Sequence, residues 1–440
     1  MAVPRKQTRR DVLKQGAAIG AGFWVTGLAP AYAKPKSAND KLNIAVIGVM
    51  GQGQWNRGQL TEAGENIVAL VDVDERWAGK AREEHPKATF DTDYRRVLDR
   101  KEIDAVLVAT PDHSHALPAI MALKAGKHVY CEKPLCHTVG EVRALTDLAK
   151  DTGLATQMVT QVHSRSNYRR VVELIRAKAI GEVREVHVWV DKQWAGGDVP
   201  TDTPPVPEGL HYDLWLGGAA ERPYHPEYLP AKWRGWWDFG GGTLSDMACH
   251  HMDLPFWALD LKSPATIEAE GPEVHAQSTP KTLIVKYEFG ARDDLPPVAL
   301  TWYNGGVRPP YFSPTHPNRL PQWGSGTLFV GSEGMLLTDY EKSLLLPEPK
   351  FKDFVPPEPT IPDSIGHHKE WIRWCKGGEP ALCRFEYAGP LTEAVQLGNV
   401  SYRTGKKIYW DAEALKARGV PEADKFIHKD YRKGWNIRDL

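Results

Sequence analysis

Short, continuous apolar runs alternate with helically spaced stretches through the first third of the chain. Residues 42–47, 67–71, 104–110 and 128–131 are short, mostly apolar runs, the pattern of strands buried on both faces. Between and after them, 54–63, 116–125 and 139–151 carry apolar residues at helical spacing, with a shorter helix at 94–98. Strand and helix in repeated alternation predict a doubly wound parallel sheet, with its ligand at the C-terminal strand ends. After Gln161 the rhythm changes. A helix is expected at 168–178, followed by a strand at 183–190 that alternates, with Val186, Val188 and Val190 on one face. Residues 196–230 are rich in Pro, Gly and Asp and read as a long irregular loop of the kind that shapes binding sites. Strand-like pieces at 283–289, 298–303, 326–331 and 334–338 lead through a proline-rich connection, 355–362, to helices at 367–376 and 391–403. The expected class is α/β: an N-terminal doubly wound parallel sheet (34–160) and a C-terminal α+β domain (161–440) with an open, mostly antiparallel sheet. A length of 440 residues suits two cores better than one.

Residues 1–33 stand apart from this pattern. Thr8-Arg9-Arg10-Asp11-Val12-Leu13-Lys14 resembles a twin-arginine (Tat) export signal, with Val12 where such signals usually carry Phe. A weakly apolar run over 16–30 and the small-x-small triplet Ala31-Tyr32-Ala33 follow. The run is too short and too rich in Gly and Ala for a membrane span. The expectation is a mature protein that starts near Lys34, has no membrane span and resides in the periplasm or is otherwise exported.

Charge and cysteines narrow the partners. Fifty-five Lys and Arg against 56 Asp and Glu give a net charge of −1, which offers no electrostatic case for nucleic acid or an anionic membrane. The five cysteines form no CxxC pair, so neither a zinc knuckle nor a disulfide framework is indicated.

The first strand leads into Gly48-Val49-Met50-Gly51-Gln52-Gly53, and a helix follows. Strand, glycine-rich turn and helix form the pyrophosphate-binding start of a Rossmann unit. Glycine lets the backbone approach the phosphates, and the helix N-terminus stabilises their charge. Met50 occupies the usual second glycine position, with Gly51 beside it. The second strand ends in Asp72, nineteen residues beyond Gly53, where an acid meets the adenosine ribose and favours NAD over NADP. Asp74 competes for that role, and Arg76 is near enough for a 2′-phosphate. His113 and His115 lie two apart, but no carboxylates join them at metal-ligand spacing, so helix-entry hydrogen bonding is the reading and no metal is expected.

Gly-rich turn, strand-end Asp72, Thr110-Pro111-Asp112-His113-Ser114-His115 and Glu132-Lys133-Pro134 occur in order. Together they resemble the glucose-fructose oxidoreductase/inositol dehydrogenase/MocA family over nearly the whole mature chain. The resemblance implies that Thr110, Pro111, His115, Glu132 and Lys133 lie beside the dinucleotide, with Lys133 next to nicotinamide and substrate. An ammonium there can stabilise the alkoxide that develops as hydride leaves a carbinol carbon. Further on, Asp246 and His250 sit at i and i+4, on one face of a helix, where a carboxylate can orient an imidazole as acid/base. They match the family's Asp-x-x-x-His motif, with His251 and Asp253 as second-line candidates. Trp194, Trp215, Trp233, Trp236, Trp237, Trp302 and Trp323 crowd this half, and aromatic faces stack on sugar rings or pack in cores.

The function expected is hydride transfer between a sugar or glycoside hydroxyl carbon and a tightly held nicotinamide, since the export route carries folded, cofactor-loaded proteins. The resemblance further implies a homo-oligomer formed through the C-terminal sheet. The alternatives are a redox-neutral NAD-dependent glycosidase on the same site and a non-catalytic sugar-binding protein.

Overall fold

The computed structural model describes Ser37 and residues 40–440, and the export signal expected at 1–33 lies outside the described residues. Six strands build the first sheet: β1 (Asn43–Ile47), β2 (Asn66–Val71), β3 (Thr89–Asp91), β4 (Ala105–Val108), β5 (His128–Glu132) and β6 (Thr156–Val159). All pairs are parallel, in the order β3-β2-β1-β4-β5-β6. The order reverses between β1 and β4, which opens a crevice at their C-terminal ends.

The apolar strands are continuous because both faces are covered. On one face Ala45, Val71 and Val106 meet the helices Ala116–Lys124 and Val139–Thr152 through Ala119, Ile120, Val139 and Val142. On the other, Ile44, Val46 and Leu70 meet Leu60 of the helix Gln52–Glu62 and Ala78 of Glu75–Glu84. Trp371, Ile372 and Cys375 of a helix from much later in the chain, His367–Cys375, complete that core.

The second sheet has nine strands: β7 (Val183–Val190), β8 (Thr266–Glu270), β9 (Leu283–Phe289), β10 (Val298–Asn304), β11 (Gly326–Gly331), β12 (Met335–Thr338), β13 (Ser343–Leu346), β14 (Ile408–Asp411) and β15 (Lys416–Arg418). Their order is β13-β12-β11-β7-β10-β9-β8-β14-β15, antiparallel except between β7 and β10. Val186, Val188, Val285, Tyr287, Leu300 and Trp302 face the helices Gly242–His251 and Phe385–Thr404. On the opposite face, Trp189, Tyr303 and Leu328 are covered by Tyr311, Phe312 and Leu320 from the β10–β11 connection.

The long 191–241 segment leaves β7 and runs over the C-terminal ends of the first sheet. It is pinned there by hydrogen bonds from Glu75 N–H to the Gly209 carbonyl (2.9 Å) and from His211 N–H to the Val73 carbonyl (2.8 Å).

Candidate active site

At the switch point lies a cavity of about 540 Å³, lined on the first sheet's side by Gly48, Met50, Gly51, Gln52, Asp72, Thr110 and Pro111. Gly48 has φ +84°, its N–H bonds the Val71 carbonyl at 2.8 Å, and a Cβ there would run into the Ala109 carbonyl oxygen. Gly53 lies behind the wall, where a Cβ would meet the Gly48 carbonyl. Met50 does not block the turn, because its side chain packs against the core beneath β1. The helix Gln52–Glu62 begins at Gly51 with no side-chain cap and no acid in its first turn; Gly53 N–H bonds the Met50 carbonyl (3.0 Å), and the Gln52 and Gln54 N–H groups remain available for an anion. Asp72 accepts from Val49 N–H (2.9 Å) and Asp74 N–H (3.0 Å), and so grips the glycine turn while facing the cavity. Arg76 is held by Asp74, with Nε and Nη2 at 2.7 and 2.5 Å from its two oxygens. Glycine cradle, uncapped helix and half-buried acid together fit a dinucleotide.

His115 stands behind the wall rather than in it. Its ring nitrogens lie 2.8 Å from the Thr110 and Pro134 carbonyl oxygens, so it braces the β4 turn against the Glu132-Lys133-Pro134 segment. His113 turns its Nε2 to the Trp215 carbonyl at 2.9 Å, and the two imidazoles serve separate partners.

At the other end of the cavity, β5 delivers Glu132 and Lys133. Glu132 accepts from Asn56 Nδ2 (2.7 Å) and from Lys133 N–H (3.2 Å), and Asn56 Oδ1 lies 2.7 Å from His368 Nε2. Lys133 Nζ donates to Asp246 Oδ1 (2.8 Å) and to the Asp246 carbonyl (3.0 Å). Three further donors converge on the same carboxylate: Arg234 Nε (3.0 Å), Lys192 Nζ (2.8 Å) and Trp194 Nε1 (2.7 Å). Burial opposes ionisation of Asp246, but Lys133, Arg234 and Lys192 outweigh it and hold its pKa well below the ordinary value. Burial also works against the Lys133 ammonium, yet Asp246 and Glu132 raise its pKa on balance.

The expected Asp246–His250 hydrogen bond is not formed among the described residues, because the four donors take up both carboxylate oxygens. His250 lies one turn along the helix with Nδ1 buried and unpartnered; burial, reinforced by Lys133, depresses its pKa well below the usual value. The second-line residues are engaged elsewhere. His251 Nε2 meets Tyr340 Oη at 2.6 Å, and Asp253 holds His163 Nδ1 (2.9 Å) and Tyr387 Oη (2.7 Å).

The tryptophans divide. Trp194 bonds Asp246, and Trp215 and Trp233 line the cavity; Trp236, Trp237 and Trp302 are core residues, and Trp323 packs on the sheet's outer face. Sequence reasoning missed Lys192, Asp112 and the tail residues Tyr431 and Trp435, the last three of which also line the cavity. The position of Lys192 two residues past β7 was the available hint.

Comparison with known proteins agrees with this geometry. A model of the oxidoreductase family's NAD-binding Rossmann fold matches residues 42–160, and one of its C-terminal alpha/beta domain matches 182–295, together more than half of the chain. The chain belongs to the glucose-fructose oxidoreductase/inositol dehydrogenase/MocA family. It carries that family's NAD-binding domain. A glycosyl hydrolase family 109 protein of Solibacter usitatus is 31% identical over 201 residues, 40% of this chain and 44% of that protein, so the match spans less than half of the relative. Among solved structures, the WlbA dehydrogenase of Bordetella pertussis, in complex with NADH and UDP-GlcNAcA, is 17% identical with a TM-score of 0.60, over 84% of this chain and 99% of that one. The aldose-aldose oxidoreductase of Caulobacter crescentus is 15% identical with a TM-score of 0.53, over 84% and 100%. At these identities the two structures establish the shared fold.

Proposed function

We propose that this chain is an exported NAD-dependent oxidoreductase that transfers hydride between a hydroxyl-bearing carbon of a sugar or glycoside and its nicotinamide. The observation that carries the reading is the Lys133–Asp246 ion pair (2.8 Å), with Lys133 lining one end of the dinucleotide cavity. Bound NAD supplies the hydride acceptor. Gly48, Gly51 and the first turn after it would hold the pyrophosphate, and Asp72 would meet the adenosine ribose. Lys133 stays an ammonium, so it stabilises a developing oxyanion rather than taking up a proton. Asp246 fixes Lys133 in place, while His250, one turn further along the helix and held neutral by burial, is not among the residues that line the cavity. Trp233 lines this end of the cavity, and the Arg234 guanidinium lies over both its ring and that of Trp194 (4.2 and 5.3 Å to the centroids), which fixes Arg234 beside Asp246. The UDP-GlcNAcA bound to one structural neighbour and the aldoses in the name of the other support the same substrate class.

The test is Lys133→Ala in the cofactor-loaded protein, with reduced-nicotinamide absorbance followed across a panel of sugars and glycosides. We expect turnover to fall by about 10²- to 10³-fold while NAD stays bound. Wild-type turnover in this variant sinks the assignment. The glycosyl hydrolase relative supports a second reading, in which the sugar is oxidised transiently and the hydride returned after the aglycone leaves. Glycoside cleavage with no net change in bound cofactor distinguishes it from dehydrogenation.

A further inference from the structure

We infer that Asp112 is the side chain that takes up the proton when a substrate hydroxyl is oxidised in this site, an assignment that rests on the hydride-transfer function proposed above. Asp112 opens the one-turn helix Asp112–Ser114 just after β4, and its side chain lines the cavity together with Lys133 and Arg234. It is only 4% exposed, and its carboxyl accepts no hydrogen bond from any described residue. Its oxygens open on the cavity rather than being sealed from it, so an incoming group meets a carboxyl with no donor already in place. Its partner is whatever enters the cavity.

The other groups here are unsuited to accepting a proton. Lys133 is held as an ammonium and Asp246 as a carboxylate saturated by four donors. His250, with its pKa depressed by burial and Lys133, is a weak base near neutrality. The charged and titratable groups that face Asp112 are Arg234 from the turn Lys232–Gly235, Lys133, Glu132 and Cys131 from the end of β5, and Asp246 and Cys249 from the helix Gly242–His251. Burial raises the Asp112 pKa to about 7, against the pull of Arg234 and Lys133 and with help from Asp246 and Glu132. That value matches a proton acceptor working near neutral pH.

The step balances as follows. The substrate O–H bond breaks and its proton passes to the Asp112 carboxylate. The carbon's C–H bond breaks with its electron pair, which leaves as hydride and reduces the bound NAD, and the C–O bond becomes a carbonyl. In the reverse direction the protonated carboxyl returns the proton.

The experiment uses the full-length, NAD-loaded protein, with Asp112→Asn, Asp112→Glu and His250→Gln beside wild type. Infrared titration without sugar should show a protonated-carboxyl band that disappears as pH rises through about 7 and is absent from the Asn variant. With sugar, Asp112→Asn should lower kcat by about 10²-fold or more and abolish the acid limb of kcat/KM, while Asp112→Glu keeps a limb. Unchanged bound cofactor in both variants shows that the fold and the dinucleotide site are intact. A limb that persists in Asp112→Asn and vanishes in His250→Gln overturns the assignment in favour of the imidazole. Loss of cofactor from both Asp112 variants overturns it too, making the carboxyl a cofactor-holding group. Wild-type protein that shows the titrating band but exchanges hydride with no sugar overturns the hydride-transfer reading itself.

Discussion

Lys133, Lys192 and Arg234 share the single carboxylate of Asp246, and the arrangement persists because each charge has a partner at 2.8–3.0 Å. At such distances an ion pair of intermediate burial is worth on the order of 4 kcal/mol before desolvation, enough to fix the ionisation states of the participants. The histidines behave oppositely. Burial lowers the pKa of His113 and His251 to about 3, and of His115, His128 and His368 to about 4. Between those values and about 6.5 the unfolded chain binds more protons than the folded one, so stability rises with pH across that window and is lost as pH falls. Each such histidine costs on the order of 2 kcal/mol at pH 5. Asp72, Asp112, Glu132 and Glu393, with raised pKa values, work in the other direction, but among the described residues they are four groups against nine, since His85, His137, His250 and His367 are lowered as well. Thermal melts should therefore show a steep decline from pH 6.5 to 4.5. A flat profile over that interval would mean that these imidazoles are charged in the folded state. Lys133, Asp246 and His250 were legible in the sequence because they stand in spaced motifs. Lys192 and Asp112 were not, because a lysine past a strand or an aspartate opening a turn is ordinary until the fold shows what it faces.

The strand–turn–helix unit over β1 and the helix Gln52–Glu62 was readable because its physics is local: a buried apolar run, a turn that must be glycine, and an uncapped helix start. Elements whose cause is not local were missed or shortened. The helix Phe385–Thr404 begins six residues before the expected 391, because Pro390 lies inside it. Proline removes one helical hydrogen bond and reads as a boundary, yet burial of Phe385, Ala388, Leu391 and Val395 sustains the turns on both sides. The short strands β3, β13 and β15 acquire their identity from the neighbour they pair with rather than from alternation of their own. The glycine turn supplies a prediction at this scale. Gly48→Ala places a side chain at φ +84° against the Ala109 carbonyl. It should destabilise the protein by about 1–3 kcal/mol and leave it without bound NAD after gel filtration. Gly58→Ala, in the helix that follows the turn and with open space around it, should be neutral or stabilising by up to about 1 kcal/mol. Equal cofactor content in the two variants would remove the turn from the binding site.

At the scale of the molecule, the dinucleotide cavity is closed by segments remote in sequence. The 191–241 segment contributes Trp215, Tyr224 and Trp233, and the C-terminal tail contributes Tyr431 and Trp435. No periodicity over 428–440 announces this role, since every partner of the tail lies far away along the chain. Lys429 Nζ donates to the His113 carbonyl (2.9 Å), Tyr431 Oη to Glu141 (2.7 Å), and Arg432 to the Gly217 and Asp213 carbonyls (2.9 and 2.8 Å). Trp435 lies under Arg95, 4.3 Å from the guanidinium carbon to the ring centroid. The tail thus bonds at once to the helix Val139–Thr152, to the turn after β4 and to the roof segment, and we expect release of a dinucleotide held in the cavity to require that some of these contacts break. Hydrogen bonds from charged donors contribute about 1.5–3 kcal/mol each, and every 1.4 kcal/mol is tenfold in a rate that must break them. Arg432→Ala should therefore shorten the retention time of bound NAD by roughly tenfold or more. A chain ended at His428 should shorten it further, while Ile427 stays in the core and the fold persists. Retention is read as the cofactor remaining with the protein during extended dialysis. Equal retention in wild type and both variants would show that the tail lies over the cavity without holding its contents, and would shift the closure to the 191–241 segment, whose own pins are the Gly209 and His211 backbone bonds to the β2 turn.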